Sequence, residues 1–484
     1  MKSRRLIAIL SALLLGTALF AQNNAELAKV VGDMQNDPDL RHASLAVSVY
    51  NITRNSNVYS YEAQRSLLPA SLAKLFTTAV GFDRLGSKFR FKTTIGYSGE
   101  IDKNGTLHGN IYITGGGDPL LGSYRYKQTQ PDTLFHTWYK AIVGQGIKAI
   151  DGRICFDATI FDNQMLHDSW QWGDVGNYYG AGVSGLNFHE NMYFVYFDAG
   201  KKLGYPASID HTSPKNLSVR HQNEVVTGSE NSGDNVVIYG DPFSPRRLCR
   251  GTVPLGKTNF PVRGSMPNAA ETCAELFAVY LRNHSVNVSS NVSEIFAKHD
   301  NVKTILDYYS NTYYVVAQYT NLTSNNMYAD CIFKYLGYDR YGKGSYANGA
   351  KAMKDFFREH GIESSGVSLV DGSGLSRDDK VTADFTCRFL AEVSHMPIYD
   401  DFQHSLGKVG ESGTVKNMLP NLPSNIQVRM KSGTMEGVKS YAGYITTAKG
   451  ELLCFSVICN NYICSGNQMK QKLEKIIYKI ATME

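Results

Sequence analysis

The sequence predicts an α/β fold in which the two ends of the chain build one unit and a mainly β insertion separates them. Three observations predict it. The segment after the amino terminus alternates like a strand pair and runs into an apolar helix. The carboxy-terminal hundred residues show the same strand alternation and close on an amphipathic helix. Between them, from about 91 to 302, the chain is rich in Gly, Asn and Tyr and carries only short alternating segments. At 484 residues there is room for roughly three domains. The expected division is 22–90 with 303–484 as one domain and 91–302 as the insertion, a third domain nested near 160–250 being left open.

Each element follows in order. Lys2, Arg4 and Arg5 precede an apolar run from Leu6 to Phe20, and Ala21 before Gln22 is a plausible cleavage point. Residues 1–21 therefore read as a cleavable signal peptide, and the mature chain as periplasmic. No later segment reaches about 18 apolar residues, so no integral membrane span is expected. Without the signal, 46 basic residues face 44 acidic ones. A charge so near neutral makes nucleic acid a poor partner. Ala43 to Ile52 alternates as a strand, Thr53-Arg54-Asn55 turns, and Val58 to Tyr61 returns. In the insertion, Ile111-Tyr112-Ile113-Thr114 reads as a strand. The following Gly115-Gly116-Gly117-Asp118-Pro119 lacks the Gly-Lys-Ser/Thr of a phosphate loop and is expected to be a turn. Ser440 to Thr447 and Leu452 to Cys459 form strands across Ala448-Lys449-Gly450. A last helix from about Asn467 puts Met469, Leu473, Ile476, Ile477 and Ile480 on one face, where they would pack on the sheet.

The chemistry is concentrated in three short motifs. Ser71-Leu72-Ala73-Lys74 places a hydroxyl and an amine on one face of a helix, one turn apart. A lysine kept from water gives up its charge readily, and a neutral amine can take the serine's proton. Spacing alone does not choose this pair, because Ser405-Leu406-Gly407-Lys408 has it too. Order and company do. Ser324-Asn325-Asn326 follows at the head of an apolar helix, and Lys431-Ser432-Gly433-Thr434 follows that at the end of the strand-like Ile426 to Met430. Lys431 is the only lysine followed by Ser or Thr and then Gly. Ser-x-x-Lys, Ser-x-Asn and Lys-Ser/Thr-Gly in that order are the set of serine enzymes that form acyl intermediates with β-lactams. A His-Glu-x-x-His zinc motif and a Gly-x-Ser-x-Gly elbow are both missing, so neither a metal nor an organic cofactor is called for. The eight cysteines form no Cys-x-x-Cys pattern and sit among apolar neighbours, which reads as buried free thiols.

With those residues in view, the chain resembles the class C low-molecular-mass penicillin-binding proteins, the D-alanyl-D-alanine carboxypeptidase/endopeptidases. Beyond the three motifs, Gly115 to Pro119, Asp371-Gly372-Ser373-Gly374-Leu375-Ser376, Trp170 to Asp174 and Tyr178 to Ala181 look like family signatures. Ser432 stands where the family usually has threonine, and the hydroxyl is kept. The resemblance implies a penicillin-binding/β-lactamase-like transpeptidase domain, an antiparallel sheet flanked by helices, interrupted by the inserted β domains.

It also implies roles. Ser71 would be the nucleophile, Lys74 its base, and Ser324 the relay to the leaving amine. Asn326 would hold the substrate amide, while Lys431 and Ser432, beside Gly433, would take the terminal carboxylate. The backbone N–H groups of Ser71 and Thr434 would form the oxyanion hole. Asp174, Tyr179 and Met435 would line a side pocket for a substrate ammonium, and Asp371 and Ser373 would be turn residues beside the site. The partners expected are peptidoglycan peptides and β-lactams; whether the chain forms a homo-oligomer is left open. The rivals are a β-lactamase and a catalytically silent wall-binding protein.

Overall fold

A computed structural model describes residues 25–215, 217–296 and 301–483. The expected signal peptide, 1–21, lies outside the described residues. The chain separates into two compact units. One comprises the chain up to Asp83, Ala317–Ser324 and the chain from Met353; the other comprises Arg84–Val316 and Asn325–Ala352.

The first unit is built on a six-stranded antiparallel sheet. Its order is Gly407–Lys408, Gln427–Met435, Val438–Thr446, Leu452–Asn460, Ser44–Asn51, Ser56–Tyr61. Ser44 stands opposite Asn460 and Asn51 opposite Leu453, so the two ends of the chain are joined edge to edge in one sheet. Strand Leu452–Asn460 is buried along almost its whole length because both faces are covered. On one face, helix Gly466–Thr482 presses Met469, Leu473, Ile476, Ile477 and Ile480 against Val47, Val49, Phe455 and Val457. Those five side chains are fully buried, and burial of each stabilises by about 1.5–3 kcal/mol. Ser465 starts this helix through a reciprocal capping box with Gln468. On the other face lies helix Ala383–Ser394, tied to the sheet by Tyr444 Oη donating to Leu390 O at 2.8 Å. Its Phe385 and Phe389 clamp Phe76 of helix Ala73–Leu85, with centroids 5.3 and 4.8 Å apart. That clamp fixes the helix that begins just after Ser71.

Among the described residues the second unit contains four smaller sheets. Strands Lys92–Tyr97, Ile111–Thr114 and Ile154–Asp157 belong to a five-stranded one, with Ile95, Ile111 and Ile113 fully buried. Two helices, Pro131–Gly144 and Ala269–Asn283, contribute Phe135, Trp138 and Phe277 to its core. The glycine run after Thr114 is irregular, and a turn begins only at Pro119. Gly115 N donates to Asp157 O at 2.9 Å and Gly117 N to Gly185 O at 2.7 Å, so these amides are engaged within the protein. All eight cysteines are free, and all but Cys464 are buried. Among the described residues no helix is long and apolar enough to cross a membrane.

Candidate active site

Ser71 sits in a single 3-10 turn, Ala70–Leu72, that leads directly into helix Ala73–Leu85. Ala70 before it is held at φ 47, a left-handed conformation that an alanine adopts only under constraint. Two glycines supply that constraint. A side chain on Gly374, itself at φ +78, would come within 1.9 Å of Ala70 O. One on Gly433 would come within 2.6 Å of Pro69 O and 2.2 Å of Ser440 Oγ. Ser440 Oγ also donates to Pro69 O at 2.7 Å. The turn bearing Ser71 is thus gripped between strand Gln427–Met435 and the loop 371–376.

Lys74 is fully buried. Its Nζ lies 3.0 Å from Ser71 Oγ and donates to Ser373 O at 2.6 Å. Asp371 shapes that loop, its carboxylate accepting the N–H groups of Ser373, Gly374 and Ser376 at 2.6–3.0 Å. The turn residues read from the sequence therefore have a direct task. The backbone carbonyl of Ser373 fixes the amine, and residue type alone carries no signal of it.

Ser324 terminates the segment Ala317–Ser324 at φ 58. Buried Asn321 anchors this segment by donating to Thr78 Oγ1 at 3.1 Å, on the Ser71 helix, and to Ser405 Oγ at 2.9 Å. The latter contact explains the decoy motif: Ser405 is consumed as a buried acceptor, and Lys408 pairs with Glu411 at 2.5 Å. Lys431, also fully buried, donates to Ser324 Oγ at 2.9 Å and to Ser432 O at 2.7 Å. Burial pushes its pKa well below the ordinary 10.5, and the charges of Lys74 and Lys439 push the same way. Ser432 Oγ meets Thr414 Oγ1 at 2.7 Å, and Lys439 Nζ donates to Thr434 Oγ1 at 2.8 Å. Thr414 and Lys439 were not singled out in the sequence. Lys439 could have been, since a hairpin after the third motif brings it back opposite Thr434 in register. Met435 ends the motif strand, half-buried.

The remaining predicted residues belong to the second unit. Asn325 caps helix Asn326–Tyr341 by accepting from Tyr328 N at 3.1 Å, and the Asn326 amide turns elsewhere. It donates to Tyr179 O at 2.7 Å. Tyr179 is hydrogen-bonded to Asp174, and its phenol is pushed up to about 12, first by burial and then by the Asp174 charge. Asn326, Tyr179 and Asp174 thus form one connected group.

The sheet and the Ser71–Lys74 pair on its covered face define a protein of the penicillin-binding type. A family model described as the D-Ala-D-Ala carboxypeptidase 3 (S13) family matches residues 27–483, and the chain belongs to that family. It is 27% identical over 452 residues to a D-alanyl-D-alanine carboxypeptidase of Actinomadura sp. (strain R39), covering 90% of this chain and 81% of the relative. It is 24% identical to the D-alanyl-D-alanine carboxypeptidase DacB of Haemophilus influenzae, covering 88% of this chain and 87% of that one. The crystal structure of penicillin-binding protein 4 from Haemophilus influenzae superposes with a TM-score of 0.78 at 22% identity, over 93% of this chain and 97% of that one. A second structure of that protein, in complex with a β-lactam, superposes with a TM-score of 0.74.

Proposed function

We propose that this chain releases the terminal D-alanine from peptidoglycan stem peptides, or cleaves cross-links between them, as a serine D-alanyl-D-alanine carboxypeptidase/endopeptidase, through an acyl-enzyme on Ser71. The observation that carries the reading is the 3.0 Å contact between Ser71 Oγ and a fully buried Lys74 Nζ. A serine hydroxyl is a weak nucleophile until a base removes its proton, and Lys74 is the base within reach.

In the forward step Ser71 Oγ bonds to the carbonyl carbon between the two D-alanines and its proton passes to Lys74. The C–N bond then breaks, and the departing amine takes a proton through Ser324. Lys431, donating to Ser324 at 2.9 Å, keeps the field positive where charge develops. The backbone N–H groups of Ser71 and Thr434 receive the oxyanion, each worth about 3–4 kcal/mol in comparable enzymes. Lys431 and Ser432, with Gly433, take the substrate's terminal carboxylate, and Asn326 holds its amide. Water hydrolyses the ester and returns the proton to Ser71 Oγ. A β-lactam opens by the same attack but keeps its amine tethered, so the adduct persists. Asp174 and Tyr179 take a free ammonium on the stem peptide. The basic and apolar amino-terminal segment directs the chain to the periplasm, where that polymer lies.

Intact-mass analysis after penicillin tests this. Wild type is expected to gain one stable adduct, Ser71→Ala none, and release of D-alanine from a stem peptide to fall at least about 10³-fold in the variant. Rapid loss of the adduct would indicate a β-lactamase instead. No adduct on folded wild type would leave a wall-binding protein.

A further inference from the structure

A second cleft lies wholly within the second unit, with a volume of about 710 Å³. Its floor is one face of a three-stranded sheet in the order Arg220–Gly228, Arg246–Pro254, Val237–Tyr239. The first two strands run parallel and in register, pairing Arg220 with Arg246, Gln222 with Leu248, and Glu224 with Arg250. Alternate residues share a face, so these six side chains stand together on the exposed side, with Tyr239 opposite Leu248 from the third strand.

The third pair is satisfied, Arg250 Nε donating to Glu224 at 2.6 Å. The first is not. Arg220 and Arg246 are directly opposed like charges, both exposed, and neither guanidinium has an ion-pair or hydrogen-bond partner among the described residues. Like charges in register destabilise a sheet, and a local rule broken without compensation marks a place where something else supplies it. Asp241, in the same cleft, gives one oxygen, Oδ1, to the N–H groups of Phe243 and Ser244, both at 2.9 Å, and no ion pair joins it to Arg220 or Arg246. Beneath them buried Arg247 adds further positive charge while donating only to backbone carbonyls.

One wall of the cleft is aromatic. Trp172, 60% exposed, faces Tyr239 with ring centroids 6.3 Å apart. Trp172 opens the short helix Trp172–Val175, and that helix also carries Asp174, the partner of Tyr179. The rim of the cleft and the group that ends at Asn326 thus share one short helix.

We propose that this cleft is an accessory binding site for the glycan-linked polymer, an acyl-free stem-peptide carboxylate lying across Arg220 and Arg246 and a sugar ring resting on Trp172 and Tyr239. It rests on the peptidase reading for the identity of the polymer. Two guanidinium forks side by side match a carboxylate in bidentate geometry, and exposed amphipathic rings offer an apolar face to a saccharide while leaving its hydroxyls wet. The site acts on polymeric wall and is idle on short peptides.

The test uses the full mature chain and its Arg220→Gln/Arg246→Gln double variant, with insoluble peptidoglycan sacculi as the probe. The variant is expected to bind sacculi at least about tenfold more weakly, with KM for D-alanine release from sacculi rising by a similar factor. Penicillin acylation and release from a short soluble stem peptide are expected to be unchanged, which also shows that the variant is folded. Sacculi whose carboxylates have been converted to amides are expected to bind wild type as weakly as the variant binds untreated sacculi. Wild-type affinity in the double variant, or undiminished binding of the amidated sacculi, overturns the proposal. Failure of the peptidase reading is separately visible, as absence of a penicillin adduct and of D-alanine release in wild type.

Discussion

The ammonium of Lys431 donates to the Ser324 hydroxyl at 2.9 Å from a fully buried position beside a second buried lysine, Lys74. Burial first, then the Lys74 and Lys439 charges, hold its pKa well below 10.5. The consequence for stability has a definite sign. Between the lowered value and 10.5 the unfolded chain binds a proton that the folded chain does not. Stability therefore rises with pH across that window and is lost as pH falls through the folded-state value. Lys431→Met removes the titration and replaces a buried charge with an apolar chain of similar length. The relief of the desolvation cost of that charge offsets the loss of its bonds to Ser324 Oγ and Ser432 O. Thermal melts from pH 6 upward, with the range set as ~6–10 around neutral and alkaline conditions, are expected to show a flatter pH dependence and no lower Tm at neutral pH in the variant. Penicillin acylation should fall at least about 100-fold. A variant that melts lower with the wild-type slope would contradict this account.

Gly433 and Gly374 should couple the fold to the chemistry. Gly433→Ala would force a methyl against Ser440 Oγ and Pro69 O, and Gly374→Ala would meet Ala70 O while also straining a φ of +78. Both press on the turn that aims Ser71. Overpacking of this kind costs about 1–3 kcal/mol. The acylation rate is expected to fall about tenfold or more, since a misplaced nucleophile loses rate steeply. Gly450→Ala, at φ +79 but with open space around it, provides the control. It should lower Tm modestly and leave acylation by a chromogenic β-lactam unchanged. Equal acylation loss in all three variants would point to general destabilisation.

Much of this was legible in the sequence for local reasons. Strand Gln427–Met435 alternates, the Ser71 helix is apolar, and the apolar stripe from Met469 to Ile480 has helical spacing. What escaped depends on distance in space. Ser373 O reaches Lys74 across 299 residues of chain, and Thr414 reaches Ser432 across 18. Nothing in a serine or a threonine announces such a partner. The helices Pro131–Gly144 and Ala269–Asn283 were hidden in a region whose Gly, Asn and Tyr content suggested strands alone. Their apolar faces become meaningful only when Trp138 and Phe277 meet, at 5.2 Å. Ser405 and Lys408 show the converse. Motif spacing was met there, and packing against Asn321 gave the serine a structural use.

The Asp174–Tyr179 pair makes a prediction about substrate choice. Tyr179, with its phenol pushed up to about 12 by burial and then by Asp174, stays protonated through any ordinary assay range. It acts on the Asp174 carboxylate as a donor, and in the proposed reading that carboxylate meets a substrate ammonium. Asp174→Asn keeps the shape and removes the charge. For stem peptides with a free side-chain ammonium, KM is expected to rise about tenfold with kcat little changed, because uniform binding is what is lost. For the same peptides with that amine acetylated, wild type and variant should match, as should their penicillin acylation rates. Tyr179→Phe should have the smaller effect of the two on KM. Because the phenol's pKa is raised in the folded state, the stability it contributes is complete below 10 and declines as pH rises toward 12. Melting curves of Tyr179→Phe should accordingly lose part of the wild-type alkaline decline. Should acetylation of the peptide leave wild-type KM unaltered, Asp174 does not read an ammonium, and its bond to Tyr179 serves only to hold the turn that presents a carbonyl to Asn326.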